Sequence, residues 1–417
     1  MTTKTPFSFR RIRRAALALC LVVIILVSAN QDYRPSALDL TVAPYRYGLV
    51  AWELSNFTDK WFHKLTQLSP WSSGLDTLQK RRQAVAFFRL GAELEGLERQ
   101  GLLNDGKPDD PAAAGKPDSI ALEIADIKEQ RRRIQADVEE TIESEIGAVL
   151  VQEGFSGRFG LLFPPVDTVF TAAPGVLILS PRDRIERLNV IPLRPGLANE
   201  EMEQIEDEIL AQQDLAALVE GIGGIATFPS VVDVKGNMRH GVVTAAHEWL
   251  HHWFFFQPLG QAFWDGPEMN TLNETAATLG GREIGTRAYA AITGEPVEPH
   301  LDPDLASKSS SYDAAIRETR RRVDELLSQE NIEEAEAYME KRRQLLVEQG
   351  FHIRKINQAF FAFRESYATG PASVSPIAGQ LKELRDQSDS LEDFLRTVAG
   401  FGSYGEFLEH LETVGGS

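Results

Sequence analysis

His247 and His251 stand four residues apart in His247-Glu248-Trp249-Leu250-His251. On a helix this spacing puts both imidazoles on one face, a turn apart, where both can reach one ion. The setting is helical, because Val243, Ala246, Leu250 and Phe254 form an apolar stripe beside them. Neutral imidazole suits Zn²⁺ at about 2.0–2.1 Å. Glu248 points about 100° around the helix from His247, so it is placed beside the ion and not on it. That position fits a general base acting on a water. A glutamate without such a role would be costly in so apolar a stretch.

A third ligand is expected at Glu274, in Asn273-Glu274-Thr275-Ala276-Ala277-Thr278. Its surroundings read as a second helix whose alanines let it lie close to the first. Asp265, Glu268 and Glu283 compete for the role. Asp265-Gly266-Pro267 reads as a turn, which puts Asp265 and Glu268 before the helix. His252 points about 140° away from His247 and is expected outside the ligand set. Two histidines and a glutamate leave a fourth position for water, as in catalytic zinc sites.

The elements that must position these residues read as an α+β fold: N-terminal helices, a small mixed sheet with an edge strand, a helical active-site region, and long C-terminal helices. Residues 31–157 read as helical, with a Pro-, Gly- and Asp-rich linker at 104–118. Helices are expected from Tyr47 to about Leu103, the second covering Leu78 to Gln100, and again over Ser119 to Val151. The core, 158–300, opens with short strands at Phe159–Phe163, Val166–Ala172, Val176–Leu179 and Leu188–Leu193. Asn199–Glu220 reads as an acidic helix. Ile225–Val234 reads as a strand that Pro229, lacking an N–H, confines to an edge or a bulge. In the C-terminal region, 301–417, Asp313 to about Ala368 is expected as one or two long charged helices, broken near Gly350.

Bulk properties narrow the classes. The formal net charge of −18 excludes a general affinity for nucleic acid or anionic lipid. Cys20 is the one cysteine, so an intramolecular disulfide and a cysteine-based metal site are both excluded. Lys4, Arg10, Arg11, Arg13 and Arg14 precede an uncharged apolar run from Ala15 to Ala29. Residues 1–30 therefore read as an export signal or membrane anchor. Arginines before the run predict a cytoplasmic N-terminus, with the remainder outside a single-pass inner membrane. Val27-Ser28-Ala29 suits signal cleavage, which would instead export the chain.

The paired motifs resemble the gluzincin metallopeptidases, which share HExxH and a downstream glutamate in an NExxA-like helix. A narrower resemblance is to a family of bacterial zinc aminopeptidases. It is carried by His247 to His251, Asn273 to Thr278, Arg317-Glu318-Thr319-Arg320, Asn357-Gln358-Ala359 and Tyr367. Gln358 stands where that family has a second asparagine. The resemblance implies a zincin-like core, a peptide or protein substrate, and a strand before the motif helix, here Ile225–Val234, that aligns it. It also implies Tyr367 as the oxyanion donor and Asn357 as a substrate-orienting residue. An aminopeptidase needs an acid to hold the free amine, for which Glu200, Glu201 and Glu283 are candidates. Two other readings share these residues: a zinc hydrolase of non-peptide amides or esters, and a catalytically silent envelope protein that binds a partner through its helices. Oligomeric state is not legible.

Overall fold

The computed structural model describes residues 34–49, 52–53, 76–105, 116–157, 160–296 and 303–415. The chain forms two compact units, Met1–Pro44 and Tyr45–Ser417. In the first, Ala37–Val42 (α1) is a short helix closed by a reciprocal cap between Ser36 and Asp39. The expected anchor or signal falls on residues 1–33, outside the described residues. Among the described residues no helix is long and apolar enough to cross a membrane. The expected single-pass anchor is therefore not supported by the described residues. By length, an apolar run of about 15 residues would give a helix of only ~22 Å against a ~30 Å hydrocarbon core.

The second unit is α+β. Thr77–Asp105 (α2) and Lys116–Gln152 (α3) pack together as an antiparallel pair. Arg81 pairs with Glu145 at one end and Lys128 with Glu98 at the other. Two three-stranded sheets follow where one was expected. Gly175–Pro181 (β2) lies between Asn189–Leu193 (β3) and Leu215–Gly221 (β4), antiparallel to both. Ser230–Val232 (β6) lies between Thr168–Phe170 (β1), to which it is parallel, and Gly224–Ile225 (β5), to which it is antiparallel.

Three sequence expectations about strands fail for local reasons. Of the expected strand Phe159–Phe163, the described residues 160–163 form none; Leu162 makes only an isolated bridge to Ser156. Asn199–Gln213 (α4) stops at Asp214, which takes the left-handed conformation at φ 53°, and β4 begins at once. The run Leu215-Ala216-Ala217-Leu218 has good helix propensity, but burial against β2 decides for strand. Ile225–Val234 is not one edge strand. Pro229 sits in the connection between β5 and β6, so the edge strand is the two-residue β5.

Carboxylates seal two further edges, those of β1 and β4. Glu143 and Glu139 of α3 accept from the Thr168 and Phe170 N–H groups of β1, each at 2.7 Å. Glu206 of α4 accepts from Val219 N–H of β4 at 2.6 Å. These buried glutamates are structural, and they satisfy donors that would otherwise be orphaned.

Met238–Phe255 (α5) carries the His247 motif. Asn237 caps it by accepting from His240 N–H at 2.9 Å. Pro258–Gln261 (α6) follows as a single turn. Pro267–Thr293 (α7) begins with proline at its first position and ends at Gly294, at φ 75°. Pro303–Ser328 (α8), Ile332–Glu348 (α9) and Gln358–Arg364 (α10) complete the central region. The expected break near Gly350 is present, with Gly350 at φ 90°. Ile377–Gln387 (α11), Leu391–Ala399 (α12) and Tyr404–Gly415 (α13) close the chain.

Two hydrophobic cores result. The larger packs α2, α3, α5, α7 and the three last helices around Trp249, Phe254 and Phe394, all at most 1% exposed. Each such side chain contributes roughly 1.5–3 kcal/mol by burial. The smaller packs β2 and β4 against α8, α9 and α10. The candidate site draws residues from both.

Candidate metal centre

α5 and α7 approach unusually closely, and glycines permit it. A Cβ on Gly281 would stand 2.8 Å from His247 Cα, and one on Gly285 would stand 2.5 Å from Val243 Cα. Ala276 and Ala277 are buried as expected. The closest approach is nonetheless made by the two glycines, which the sequence reading passed over. A glycine inside a helical pattern costs helix stability and so signals a packing reason.

The close approach brings Glu274 to the two histidines. His247 Nε2 and His251 Nε2 are 3.0 Å apart. Glu274 Oε2 is 3.4 Å from His251 Nε2 and 3.6 Å from His247 Nε2. Four ligands at zinc distances in a tetrahedron stand about 3.3 Å from one another. The three observed separations bracket that value. Glu274 Oε2 is buried without a hydrogen-bond partner, a costly state unless a cation fills the space. His251 Nδ1 is 2.9 Å from Asn273 Oδ1. The oxygen can only accept, so Nδ1 carries the proton and the lone pair of Nε2 faces inward. The donor set therefore fits a zinc ion held by His247, His251 and Glu274.

The charges agree with this geometry. Burial opposes protonation of His251, but the charge and hydrogen bonding of Glu274, with Glu248 and Asn273, together outweigh it and push the imidazole up to about 9. Burial likewise opposes ionisation of Glu274, yet His251 and His247 hold it well below the usual carboxylate range. Without an ion, the site thus keeps a proton where a cation would sit. Glu248 is 6% exposed, and burial raises its carboxyl above the ordinary value, helped by Glu274 and opposed by the histidines.

β5 passes directly over Glu248. A Cβ on Gly224 would stand 2.6 Å from Glu248 Oε1, so only glycine lets strand and carboxylate meet here. Asp233 N–H donates to Gly223 O at 2.8 Å, and Ile225 stands opposite Val231. By the alternation of an antiparallel ladder, the N–H and C=O of Gly224 then point away from β6, to the open edge. Residues Gly223 to Ala226 line a cleft of about 2190 Å³ that also holds His247, Glu248, His251, Glu274 and Tyr367. Small-molecule pockets run to only ~300–1,000 Å³. Phe163, Phe255, Phe256 and Trp264 line the same cleft and are more than half exposed.

Tyr367 follows α10 in a loop and is not on a long helix. The loop is tied to the ligand helix, because Ala368 N–H donates to Thr275 Oγ1 at 3.1 Å. The charge of Glu274, then burial and the charge of Glu248, raise the Tyr367 hydroxyl well above its ordinary value, while Arg187 opposes. Tyr367 consequently keeps its proton and can donate.

Other sequence candidates fall elsewhere. Asp265 lies in the turn before α7, and Glu268 lines the cleft but is exposed; neither joins the ligand group. Glu283 pairs with Arg385 at 2.9 Å, and Glu201 pairs with Arg194 at 2.6 Å. Glu200 is exposed in the first turn of α4. None of these three lines the cleft. Asn357 caps α10 and donates to Ala217 O of β4 at 2.8 Å, bracing the smaller core, and is not among the residues that line the cleft. Gln358 is fully buried and donates to Arg182 O at 2.6 Å. Thr319 and Arg320 brace α8, with Arg320 reaching Asp324, Glu365 and the Ala372 carbonyl. His252 lines the cleft away from the ligand group, its ring 5.7 Å from that of Phe228. Arg187, from the β2–β3 connection, also lines the cleft. Sequence reasoning missed it because nothing near it in the chain marks it.

No model of a known protein family matches the chain, and no curated protein or solved structure is similar to it.

Proposed function

We propose that this protein is a zinc-dependent peptidase that hydrolyses peptide bonds of extended substrates. One observation carries the reading. A His–His–Glu ligand group shares its cleft with a buried glutamate that lies outside that group and with an open strand edge. The edge strand favours peptides over other amides, because an extended backbone can pair with Gly224. The cleft volume and its exposed aromatic residues favour a chain over a small molecule. The motif resemblance to gluzincins points the same way.

His247, His251 and Glu274 would hold the ion, and Asn273 would orient His251. When bound, zinc supplies Lewis acidity, which lowers the pKa of water and polarises a carbonyl. Glu248, beside the ligands and buried, takes the proton from the attacking water. Burial raises its affinity for that proton toward the working range of a general acid–base group. It then delivers the proton to the leaving amine. Tyr367 keeps its proton and donates to the carbonyl oxygen as charge develops there.

The test is Glu248→Gln on the zinc-loaded protein, assayed with a mixed peptide library by mass spectrometry. Turnover should fall by at least ~10²-fold, within the range of general acid–base contributions, with zinc content unchanged. Unaltered turnover in the variant, or no cleavage by the wild type, would reject the reading.

A further inference from the structure

We propose that Arg187 is a second oxyanion donor, acting with Tyr367 on the scissile carbonyl oxygen. The inference rests on the peptidase reading above and deepens it.

Arg187 stands in the connection between β2 and β3, far in sequence from both metal helices. Its side chain lines the cleft that contains the ligand group. One guanidinium nitrogen donates to Ser366 Oγ at 2.6 Å. That bond pins the cation beside the loop residue preceding Tyr367. Among the described residues, no carboxylate lies within ion-pair distance of it. By contrast, Arg182 is neutralised by Glu336, Arg320 by Asp324, and Arg354 by Glu206. A guanidinium has five N–H donors in a rigid fork. A partly buried one with a single hydroxyl partner retains donors for an anion that the resting protein does not supply.

The location selects which anion. Arg187 and Tyr367 act on each other electrostatically, and both feel Glu274. The bond to Ser366 holds Arg187 beside Tyr367, and both residues line the cleft of the ligand group. In hydrolysis the water oxygen bonds to the carbonyl carbon, and its proton goes to Glu248. The carbonyl π pair moves onto oxygen, the atom to which Tyr367 donates. A fixed cation there stabilises the charge only as it forms.

Arg187→Met keeps the stem and removes the charge; Arg187→Lys keeps the charge and removes the fork. On the zinc-loaded full chain, Arg187→Met should lower kcat on the order of 10²–10³-fold, the scale of a lost oxyanion donor. KM should stay within about threefold. The loss should be equal for C-terminally amidated and free-acid peptides, and millimolar guanidinium should restore part of the rate. Arg187→Lys should retain an intermediate rate. Independently of turnover, a phosphinic peptide, whose anionic oxygens mimic the developing charge, should bind the Met variant about 10²-fold more weakly at unchanged zinc content. Equal phosphinic affinity would overturn the proposal. So would a loss seen in KM alone and only with free-acid peptides, which would make Arg187 an anchor for the substrate terminus. If the wild type cleaves nothing, the peptidase reading fails, and the phosphinic titration still decides whether Arg187 binds the anion.

Discussion

Replacing Gly281 by alanine should separate the two ligand helices and weaken metal binding from outside the ligand set. The added Cβ would stand 2.8 Å from His247 Cα, 2.9 Å from its N and 3.0 Å from its Cβ. Ordinary contact begins at 3.4 Å, so α7 must retreat by about 0.6 Å. The obstruction is backbone, which cannot swing aside. Gly281 lies two turns after Glu274 on the same face of α7, so the retreat carries the carboxylate away from the histidines. Zinc–ligand distances tolerate about ±0.2 Å, a third of that displacement. Zinc affinity should fall roughly 10–100-fold, as when a supporting partner of a ligand is lost. Overpacking costs about 1–3 kcal/mol, and the better helix propensity of alanine returns about 1. Folding stability should therefore fall by at most about 2 kcal/mol, while zinc affinity falls by the larger factor. Competition against a chromophoric chelator measures the first quantity and calorimetry the second. Gly147→Ala in α3 is the control, because its Cβ would meet nothing within 4 Å; it should be neutral or stabilise by about 0.5–1 kcal/mol. If Gly281→Ala binds zinc as tightly as the wild type, helix approach does not set the site.

Two further outcomes follow from the same geometry. Gly224→Ala would place a methyl 2.6 Å from Glu248 Oε1 and 2.9 Å from Thr244 Cγ2. Displacing the base should lower kcat at least ~10-fold with zinc retained, and an unchanged kcat would show that β5 does not constrain Glu248. The metal-free protein should lose stability as pH rises from about 6.5 through 9. His251 is raised to about 9 when folded, so its contribution is complete below its ordinary value and disappears above the folded one. Glu274 is depressed, so its share is lost only in acid, below the usual carboxylate range. The alkaline loss is at most about 3 kcal/mol. Thermal melts of metal-free and zinc-loaded protein across this range check it: only the metal-free form should show the decline, and parallel curves would refute the proton–cation exchange.

The ligand residues were legible because the chemistry is local. A four-residue step on a helix puts His247 and His251 on one face, whatever the rest of the chain does. Glu274 could be proposed from its small-residue surroundings, and α7 places it there. The α+β class was legible from the texture of the chain, although β4 was absorbed into a helix and β5–β6 into one strand. Both errors came from short segments whose state is decided by burial and pairing and not by propensity. Asn357, Glu201 and Glu283 find partners away from the cleft, which spacing does not show because a polar residue's partner is a spatial neighbour.

Sequence by itself thus determined what could bind a metal and which carboxylate could move a proton, because these depend on side-chain type and helical period. Only the tertiary structure decided how the site is completed. Gly281 sets the approach of α7, Asn273 fixes the tautomer of His251, and Gly224 admits the base beneath an open strand edge. Arg187 reaches the cleft from a different sheet and a different core, pinned by Ser366 at a separation of 179 residues. Contacts at that distance are set by how layers pack, and no periodicity in the chain encodes them.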